Sequence, residues 1–287
     1  MENIQKENIV SGLRRYCERY ESQNRAAASL KGVSAATVSQ LLNGNWELIG
    51  DEMWRNVASQ TGYRERRWVA VETVNFRTIG RILADAQDNS LVLAITDEAG
   101  TGKSFALNHY RDNNRNVYLL CCNDYWDRKL FITELLAAIG KDYTGQTVGE
   151  MMRDVVGRLK VIERPLIILD EADKLKDHVL QLFITLYNNL EDECGMVLCS
   201  TSHLERRLVQ GLKSKKGYKE IWSRIGKKCV ALKGVTAADI TLICERNGIS
   251  EKKTIDLVLG DSECDLRRVK RKVYAIVKQR GESVIRN

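Results

Sequence analysis

The sequence predicts an α/β fold with a parallel β-sheet at its centre and a small helical segment on either side. The chain has 287 residues, of which 44% are hydrophobic, so it can form one full-sized domain and one or two small ones. In its middle part, short apolar or β-branched runs alternate with longer runs of helical period, and this alternation is typical of a parallel sheet. The two ends show helical patterning alone.

Five predicted strands and four predicted long helices make up the middle part. The strands are Leu91–Thr96, Asn116–Cys122, Leu166–Asp170, Gly195–Ser200 and Cys229–Leu232. The helices carry apolar residues at helical spacing and are Lys103–Tyr110, Arg128–Ile139, Val148–Ile162 and His178–Leu190.

Changes of pattern set the domain boundaries, because Pro165 is the single proline of the chain. We expect a helical domain and linker over residues 1–67, ending in the basic cluster Arg64–Arg67. The sheet-containing core is expected over residues 68–233. The last segment, 234–287, opens with a capping-box pattern in which Thr236 and Asp239 satisfy each other's backbone N–H groups.

Composition excludes several classes of protein. No apolar run approaches the roughly 20 residues that a bilayer span needs, and the polar start does not resemble a signal peptide, so we expect a cytoplasmic protein with no membrane partner. The eight cysteines include no C-x-x-C pair, and the chain has three histidines. We therefore expect most cysteines to be small buried side chains and no structural metal site.

The positive charge is concentrated near the C-terminus. The whole chain has a net charge of +7, but residues 203–287 carry 21 Lys and Arg against 10 Asp and Glu, and residues 1–202 carry 24 against 28. Such a basic region indicates a polyanionic partner, usually nucleic acid. A solvated basic surface that serves solubility is the alternative.

A phosphate-binding loop follows the first predicted strand and opens a predicted helix, which is the context that such a loop requires. Glycine lets the main chain approach an anion, and the helix N-terminus adds favourable partial charge. Lys103 would neutralise the β- and γ-phosphates of ATP, and the Ser104 hydroxyl would hold Mg²⁺. Asp97 replaces the first glycine of the usual pattern. The predicted nucleotide-binding residues are Asp97, Glu98, Ala99, Gly100, Thr101, Gly102, Lys103, Ser104 and Phe105.

A second motif places acids at the end of the third predicted strand. Leu166–Leu169 is apolar and is followed by Asp170, Glu171 and Asp173. Asp170 would position the metal, and Glu171 would polarise the attacking water. An acidic turn after a buried strand is common, but its pairing with the upstream loop makes it specific.

Together, Gly100–Ser104 and the Asp170–Asp173 tetrad resemble the AAA+ family of P-loop ATPases, and within it the DNA-transposition ATPases of the Mu B and TnsC type. The resemblance implies a five-stranded parallel sheet in the order 5-1-4-3-2, an N-terminal helix-turn-helix domain and a C-terminal helical lid. It also implies ATP and Mg²⁺ as cofactors and a nucleotide site completed by a neighbouring subunit.

Three further catalytic candidates come from the same resemblance. Thr201, after the fourth strand, matches the sensor-1 position, where Ser200 or Ser202 are alternatives. Arg224 lies in a segment similar to the family's arginine finger, which reaches the nucleotide of the next subunit. Arg267 matches the sensor-2 arginine of the lid, although Cys264–Asp265 stands where the family has Gly-Ala.

Residues 24–44 are interpreted as a helix-turn-helix on packing grounds. Ala28 is small where two helices would cross, Gly32 supplies the turn, and Ser34 would cap the second helix. A plain helical hairpin is the alternative. Alanines at the tip of the second helix cannot hydrogen-bond to base edges, so we expect DNA contact of low specificity. The candidates are Ser39, Gln40 and Asn43.

Two other segments are candidates for contact with double-stranded DNA. The first is the stretch Gly211–Lys219, here called the lysine loop, whose cations are Lys213, Lys215, Lys216 and Lys219. The second follows the second strand and comprises Tyr125, Trp126, Arg128 and Lys129. We expect one or both to track DNA phosphates inside a helical oligomer; a disordered, solvated loop is the alternative for the first.

The predicted function is an ATP-dependent, largely sequence-independent DNA-binding ATPase that oligomerises on target DNA and recruits or activates a transposase. Polymerisation would sum many modest phosphate contacts into tight binding. The alternatives are an ATPase that loads a helicase, a helix-turn-helix regulator that ATP switches, and a degenerate ATPase acting as a scaffold.

Overall fold

A computed structural model describes residues 3–62, 68–69, 71–141 and 145–280, so the basic cluster Arg64–Arg67 lies outside the described residues. Its centre is a five-stranded parallel sheet in the order β2-β3-β4-β1-β5. Counted from the β5 edge, this order is 5-1-4-3-2, the order that the family resemblance implies. The strands are β1 (Val92–Thr96), β2 (Val117–Cys121), β3 (Leu166–Asp170), β4 (Gly195–Ser200) and β5 (Val230–Ala231).

Helices cover both faces of the sheet, and alternate residues of each strand point to opposite faces. In β3, Ile167 and Leu169 enter the core on one face, whereas Leu166 and Ile168 enter the core on the other. This explains why the sequence of β3 is a continuous apolar run. The covering helices are α5 (Val74–Asp88), α6 (Lys103–Asn113), α7 (Arg128–Ile139), α8 (Val148–Leu159), α9 (Asp177–Leu190), α10 (Ser202–Gly211) and α11 (Tyr218–Arg224).

Four helices before the sheet enclose a core of their own, centred on the buried Trp54. Ser34 caps α3, as predicted, by accepting a hydrogen bond from the Thr37 N–H at 3.0 Å. The prediction for Ala28 was wrong: it is exposed, and Ala26 and Ala27 are the small buried residues, because α2 begins at residue 23. The four helices are α1 (Asn3–Cys17), α2 (Gln23–Ala28), α3 (Ala35–Leu42) and α4 (Asp51–Gln60).

Three helices after the sheet form the segment that the resemblance identifies as a lid. The predicted capping box is present: Thr236 Oγ1 accepts from the Asp239 N–H, and the Asp239 carboxylate accepts from the Thr236 N–H. Val71, which precedes the sheet in the chain, packs into the core of these helices. They are α12 (Ala237–Arg246), α13 (Lys252–Ser262) and α14 (Leu266–Gln279).

All eight cysteines are free thiols, and five of them are buried, as expected. Among the described residues, no helix has the length and apolar character that a membrane crossing requires.

We predict that Gly195→Ala destabilises the protein. A Cβ at this position of β4 would lie 2.2 Å from the backbone oxygen of Ala86 in α5, and neither backbone can move without disturbing the core. Overpacking of this kind costs about 1–3 kcal/mol, measurable as a lower midpoint of urea unfolding. The control is Gly260→Ala in α13, where a Cβ meets nothing within 4 Å and alanine should raise helix stability by about 1 kcal/mol. Equal midpoints for the two variants would contradict this account.

Candidate nucleotide site

The phosphate loop connects β1 to α6, and two of its glycines adopt the left-handed backbone conformation. Gly100 has φ of 84° and Gly102 has φ of 91°, values that residues with a Cβ rarely adopt. Lys103 begins α6, and its Nζ donates to the backbone oxygens of Asp97 at 2.9 Å and Glu98 at 2.6 Å. The loop therefore folds around its own lysine, with the start of a helix facing the cavity beside it.

The side chains of Asp97 and Glu98 do not line this cavity, which differs from the prediction. One Asp97 carboxylate oxygen accepts from the Glu98 N–H at 2.8 Å, and the other lies 3.5 Å from the amide nitrogen of Asn75. Glu98 accepts from the Ser202 hydroxyl at 3.3 Å. Asp97 thus replaces glycine without placing its carboxylate in the cavity, because the turn itself supplies it with a donor.

Asp170 ends β3 and is only 4% exposed. Burial raises the pKa of its carboxyl, while hydrogen bonds from the Ser104 hydroxyl and the Glu171 N–H act in the opposite direction. A buried carboxylate next to a hydroxyl at the end of a strand provides oxygen ligands of the type that Mg²⁺ prefers.

Glu171 has an unusual backbone for a residue with a side chain. Its φ is 56° and its ψ is 37°, which lies in the left-handed region and costs of order 1 kcal/mol or more. Its carboxylate pairs with Lys174 Nζ at 2.5 Å and lies 3.7 Å from the Cys121 sulfur. Asp170 and Glu171 both line the cavity, but Asp170 is buried whereas Glu171 is half-buried.

Thr201 follows β4 and connects the acidic turn to α10. Its hydroxyl donates to the Asp173 carboxylate at 2.9 Å and also accepts from the His203 N–H at 3.3 Å, which caps α10. Both Thr201 and the neighbouring Ser200 line the cavity. The sequence alternative Ser202 instead contacts Glu98.

The lid contacts the phosphate loop directly. The Leu266 N–H donates to the Gly100 carbonyl at 2.8 Å, and a Cβ at Gly100 would lie 2.5 Å from the Asp265 carboxylate. Asp265 also caps α14 by accepting from the Arg267 N–H at 2.7 Å. Arg267 and Lys270 consequently line the same cavity as the loop.

The cavity has a volume of about 330 Å³ and a polar and an apolar side. The loop from Ala99 to Phe105, the acidic turn and Thr201 line the polar side. The apolar side was missed by sequence reasoning, because no motif shows that the linker before α5 and the lid fold back over the loop. Its residues are Trp68, Val71, Phe76, Ile243 and Leu266. A polar end beside an apolar end of this size fits a nucleotide.

Arg224 does not reach the cavity of its own chain. Its guanidinium donates to Asn188 Oδ1 at 2.5 Å and stacks over Tyr187, 4.5 Å from the ring centroid. It is half-buried at the end of α11 and is not among the residues that line the cavity.

The candidate DNA contacts divide into exposed and buried residues. Tyr125 is 66% exposed, but Trp126 is 5% exposed and packs with Phe131 in the main core. The prediction for Trp126 was therefore wrong: its ring fills the space under α7 and cannot stack on a base. The other exposed candidates are Gln40, Asn43, Arg128 and Lys129, whereas Ser39 is half-buried.

In the lysine loop, one of the four predicted cations is already paired. Lys215 Nζ lies 2.7 Å from Asp177, and hydrogen bonds from Lys215 and Tyr218 hold the pKa of the Asp177 carboxyl well below its usual range. Lys213, Lys216 and Lys219 are exposed, and none of them has an ion pair within the described part of the chain.

Comparison with known proteins agrees with this geometry. Residues 86–208 match the family described as the AAA domain. The chain is 25% identical over 260 residues to the ATP-dependent target DNA activator B of Escherichia phage Mu, covering 88% of this chain and 81% of that protein. This chain resembles the Mu B type of AAA+ ATPase. The Mu-like prophage FluMu DNA transposition protein B of Haemophilus influenzae is 22% identical over 249 residues, covering 84% and 85% of the two chains.

One solved structure supports the same fold. The ORC1 protein of Aeropyrum pernix, solved in complex with DNA, superposes with a TM-score of 0.51 at 19% identity. The alignment covers 84% of this chain and 66% of that one. At this identity the likeness concerns the fold, which combines an AAA domain with further helices.

We predict that Asp170→Asn stabilises the nucleotide-free protein at neutral pH. Because burial raises the Asp170 pKa, folding stability falls as the pH rises from about 4, the ordinary carboxyl value, through the raised folded value. Asparagine removes this cost. The melting temperature of the variant should exceed that of the wild type at pH 7, and the difference should shrink as the pH is lowered.

Asp256→Asn, at an exposed position of α13, is the control and should leave the melting temperature unchanged. A lower melting temperature for Asp170→Asn at pH 7 would show that hydrogen bonding of the carboxylate outweighs its burial.

Proposed function

We propose that this protein is an ATP-dependent DNA-binding ATPase that assembles on target DNA and recruits or activates a transposase. The observation that carries the proposal is the cavity in which the phosphate loop, the buried acid of β3 and the lid arginine meet. The similarity to a target DNA activator and to a transposition protein supplies the biological context.

Nucleotide binding uses the loop and the first turn of α6. Lys103 exchanges its contacts with loop carbonyls for the β- and γ-phosphates of ATP, and the N–H groups of residues 100–103 surround the phosphates. Ser104 and Asp170 would hold Mg²⁺, and the ion would neutralise charge on the phosphates.

Hydrolysis uses the residues around the acidic turn. Glu171 orients and deprotonates the attacking water, and the Thr201 hydroxyl contacts that water or the γ-phosphate. Arg267 contacts the phosphates from the lid, which couples the lid position to nucleotide state. The ion pair between Glu171 and Lys174 would open when Glu171 acts as the base.

A neighbouring subunit completes the site. Arg224 contacts Asn188 and does not line its own cavity, and as an arginine finger it would stabilise the charge on the γ-phosphate of the next subunit. ATP held between two subunits favours assembly because only the assembled state binds it fully. The oligomer on DNA then sums many weak phosphate contacts.

DNA contact is assigned to several segments with little sequence preference. The helices before residue 67 act as a helix-turn-helix that contributes Ser39, Gln40 and Asn43, and the core over 68–233 and lid over 234–287 act as the ATPase. The other proposed contacts are Tyr125, Arg128, Lys129, Lys213, Lys216 and Lys219, all of them exposed. Lys215 contributes only after release from Asp177.

The first test of this proposal compares two nucleotide-site variants. Glu171→Gln should bind ATP and form oligomers on DNA that persist, since removal of a general base slows turnover by about 10²–10⁴-fold. Lys103→Ala should fail to assemble, because it loses the phosphate contacts that make assembly ATP-dependent. Electron microscopy with duplex DNA and ATP measures both outcomes. Equal assembly by the two variants would refute the scheme.

The second test asks whether Arg224 acts in the next subunit. Glu171→Gln and Arg224→Ala should each be nearly inactive alone. Mixed in equal amounts, they should regain ATPase activity, because about a quarter of the junctions would pair an intact Glu171 with an intact Arg224. Steady-state ATP turnover of the mixture measures this. If the mixture is no more active than the sum of its components, Arg224 acts within its own chain or not at all.

A further inference from the structure

A cationic cleft lies between α10 and the first half of the lysine loop, away from the nucleotide cavity. Its volume is about 400 Å³. Every charged side chain that lines it is basic, and the other lining groups are hydrogen-bonding or small. The side chains are His203, Arg206, Arg207, Gln210, Ser214 and Lys215.

The arrangement of α10 concentrates this charge on one side of the helix. His203, Arg206 and Gln210 are three or four residues apart, so they share one face, and all three are exposed. Glu205 lies on the opposite face by its position in the helix. The exposed face of α10 beside the cleft therefore carries a cation and two hydrogen-bonding side chains.

The nearest acid does not neutralise the cleft. Asp177 accepts hydrogen bonds from Arg207 at 2.5 Å, Lys215 at 2.7 Å and Tyr218 at 2.7 Å. One negative charge thus pairs with two of the three permanent cations, and Arg206 has no ion pair within the described part of the chain. The cleft retains positive charge suited to an anion.

The floor of the cleft is connected to the nucleotide site through Arg207. This side chain is 16% exposed and donates to the backbone oxygens of Asp173 at 3.1 Å and Leu175 at 2.7 Å. Asp173 in turn accepts from Thr201. Arg207 therefore fixes the turn that carries Glu171, and it also contacts Asp177 at the start of α9 and Tyr218 in the lysine loop.

We propose that this cleft binds a backbone phosphate of the DNA, with Arg206, Gln210 and His203 as contacts and Arg207 as a positioning residue beneath them. A phosphate that enters the cleft competes with Asp177 for Lys215 and Arg207. The resulting shift of Arg207 changes the turn that it holds, and DNA binding is thereby communicated to Glu171. The inference rests on the proposed function, because it assigns a DNA contact and a route by which DNA regulates hydrolysis.

The first experiment measures binding of a fluorescent DNA duplex by Arg206→Ala in the presence of a non-hydrolysable ATP analogue. Arg206 is exposed, so the variant should fold normally. The plot of log affinity against log salt has a negative slope, and loss of one phosphate contact makes this slope shallower by about 0.9. Between about 50 and about 200 mM salt, the affinity of the variant should therefore fall about 3.5-fold less than that of the wild type.

Arg246→Ala is the matched control, since it removes an exposed arginine from α12 and should leave both affinity and slope unchanged. If the wild type binds DNA and Arg206→Ala binds it with the same affinity and slope, the assignment of the cleft is overturned and the proposed function stays intact. Absence of DNA binding by the wild type would overturn both. Loss of ATP-driven self-association without DNA in Arg206→Ala would show that the cleft faces the nucleotide of a second copy, which also overturns the assignment.

The second experiment tests the role of Arg207. In Arg207→Lys, one ammonium group replaces the guanidinium that reaches four partners. The variant should keep most of its DNA affinity, but the ratio of ATP turnover with and without DNA should fall towards one. A merely structural residue would lower both rates and leave their ratio unchanged, and that result would contradict the positioning role.

Discussion

The parallel alignment of β1, β3 and β4 determines where the groups of the nucleotide site that follow these strands lie. Thr96 of β1 pairs with Ser200 of β4, and β3 lies on the other side of β4. The three strands end at the same edge of the sheet. The sheet itself therefore brings the phosphate loop, the acid of β3 and Thr201 together, and contacts among these groups are not needed to do so. Ligand sites at the carboxyl edge of such sheets are a general property of α/β folds.

This arrangement has an energetic consequence. The strand that delivers Asp170 is buried along its whole length, so its last residue is buried too, and this burial raises the pKa of the carboxyl. In the turn that follows, Glu171 adopts the left-handed backbone conformation. A buried acid and a left-handed backbone at a residue with a side chain each work against folding, and such features are typical of functional sites.

Sequence reasoning was most successful where a local pattern has a single structural solution. The bounds of β3 and β4 were predicted correctly, because each is a continuous apolar run between turn residues. The positions of Ala28 and Trp126 were not, since a small or aromatic residue near a helix start is equally compatible with exposure and burial. The apolar wall around Trp68 needed the tertiary structure, because it joins segments that are far apart in sequence.

Electrostatic predictions show a similar division. The charge of the lysine loop was evident from sequence, but the pairing of Lys215 with Asp177, 38 positions earlier in the chain, was not. The same holds for Arg207, which looks like an ordinary helix-surface residue in the sequence. Its four partners come from the acidic turn, α9 and α11, and no local pattern relates these segments to one another.

A backbone hydrogen bond joins the lid to the phosphate loop: the Leu266 N–H donates to the Gly100 carbonyl. A contact of this kind depends on the path of the chain and hardly on which side chains it carries. Mutation can therefore alter the residues at the start of α14 over evolutionary time while the lid keeps its position. Asp265 is the exception there, because its carboxylate caps α14 and leaves no room for a Cβ at Gly100.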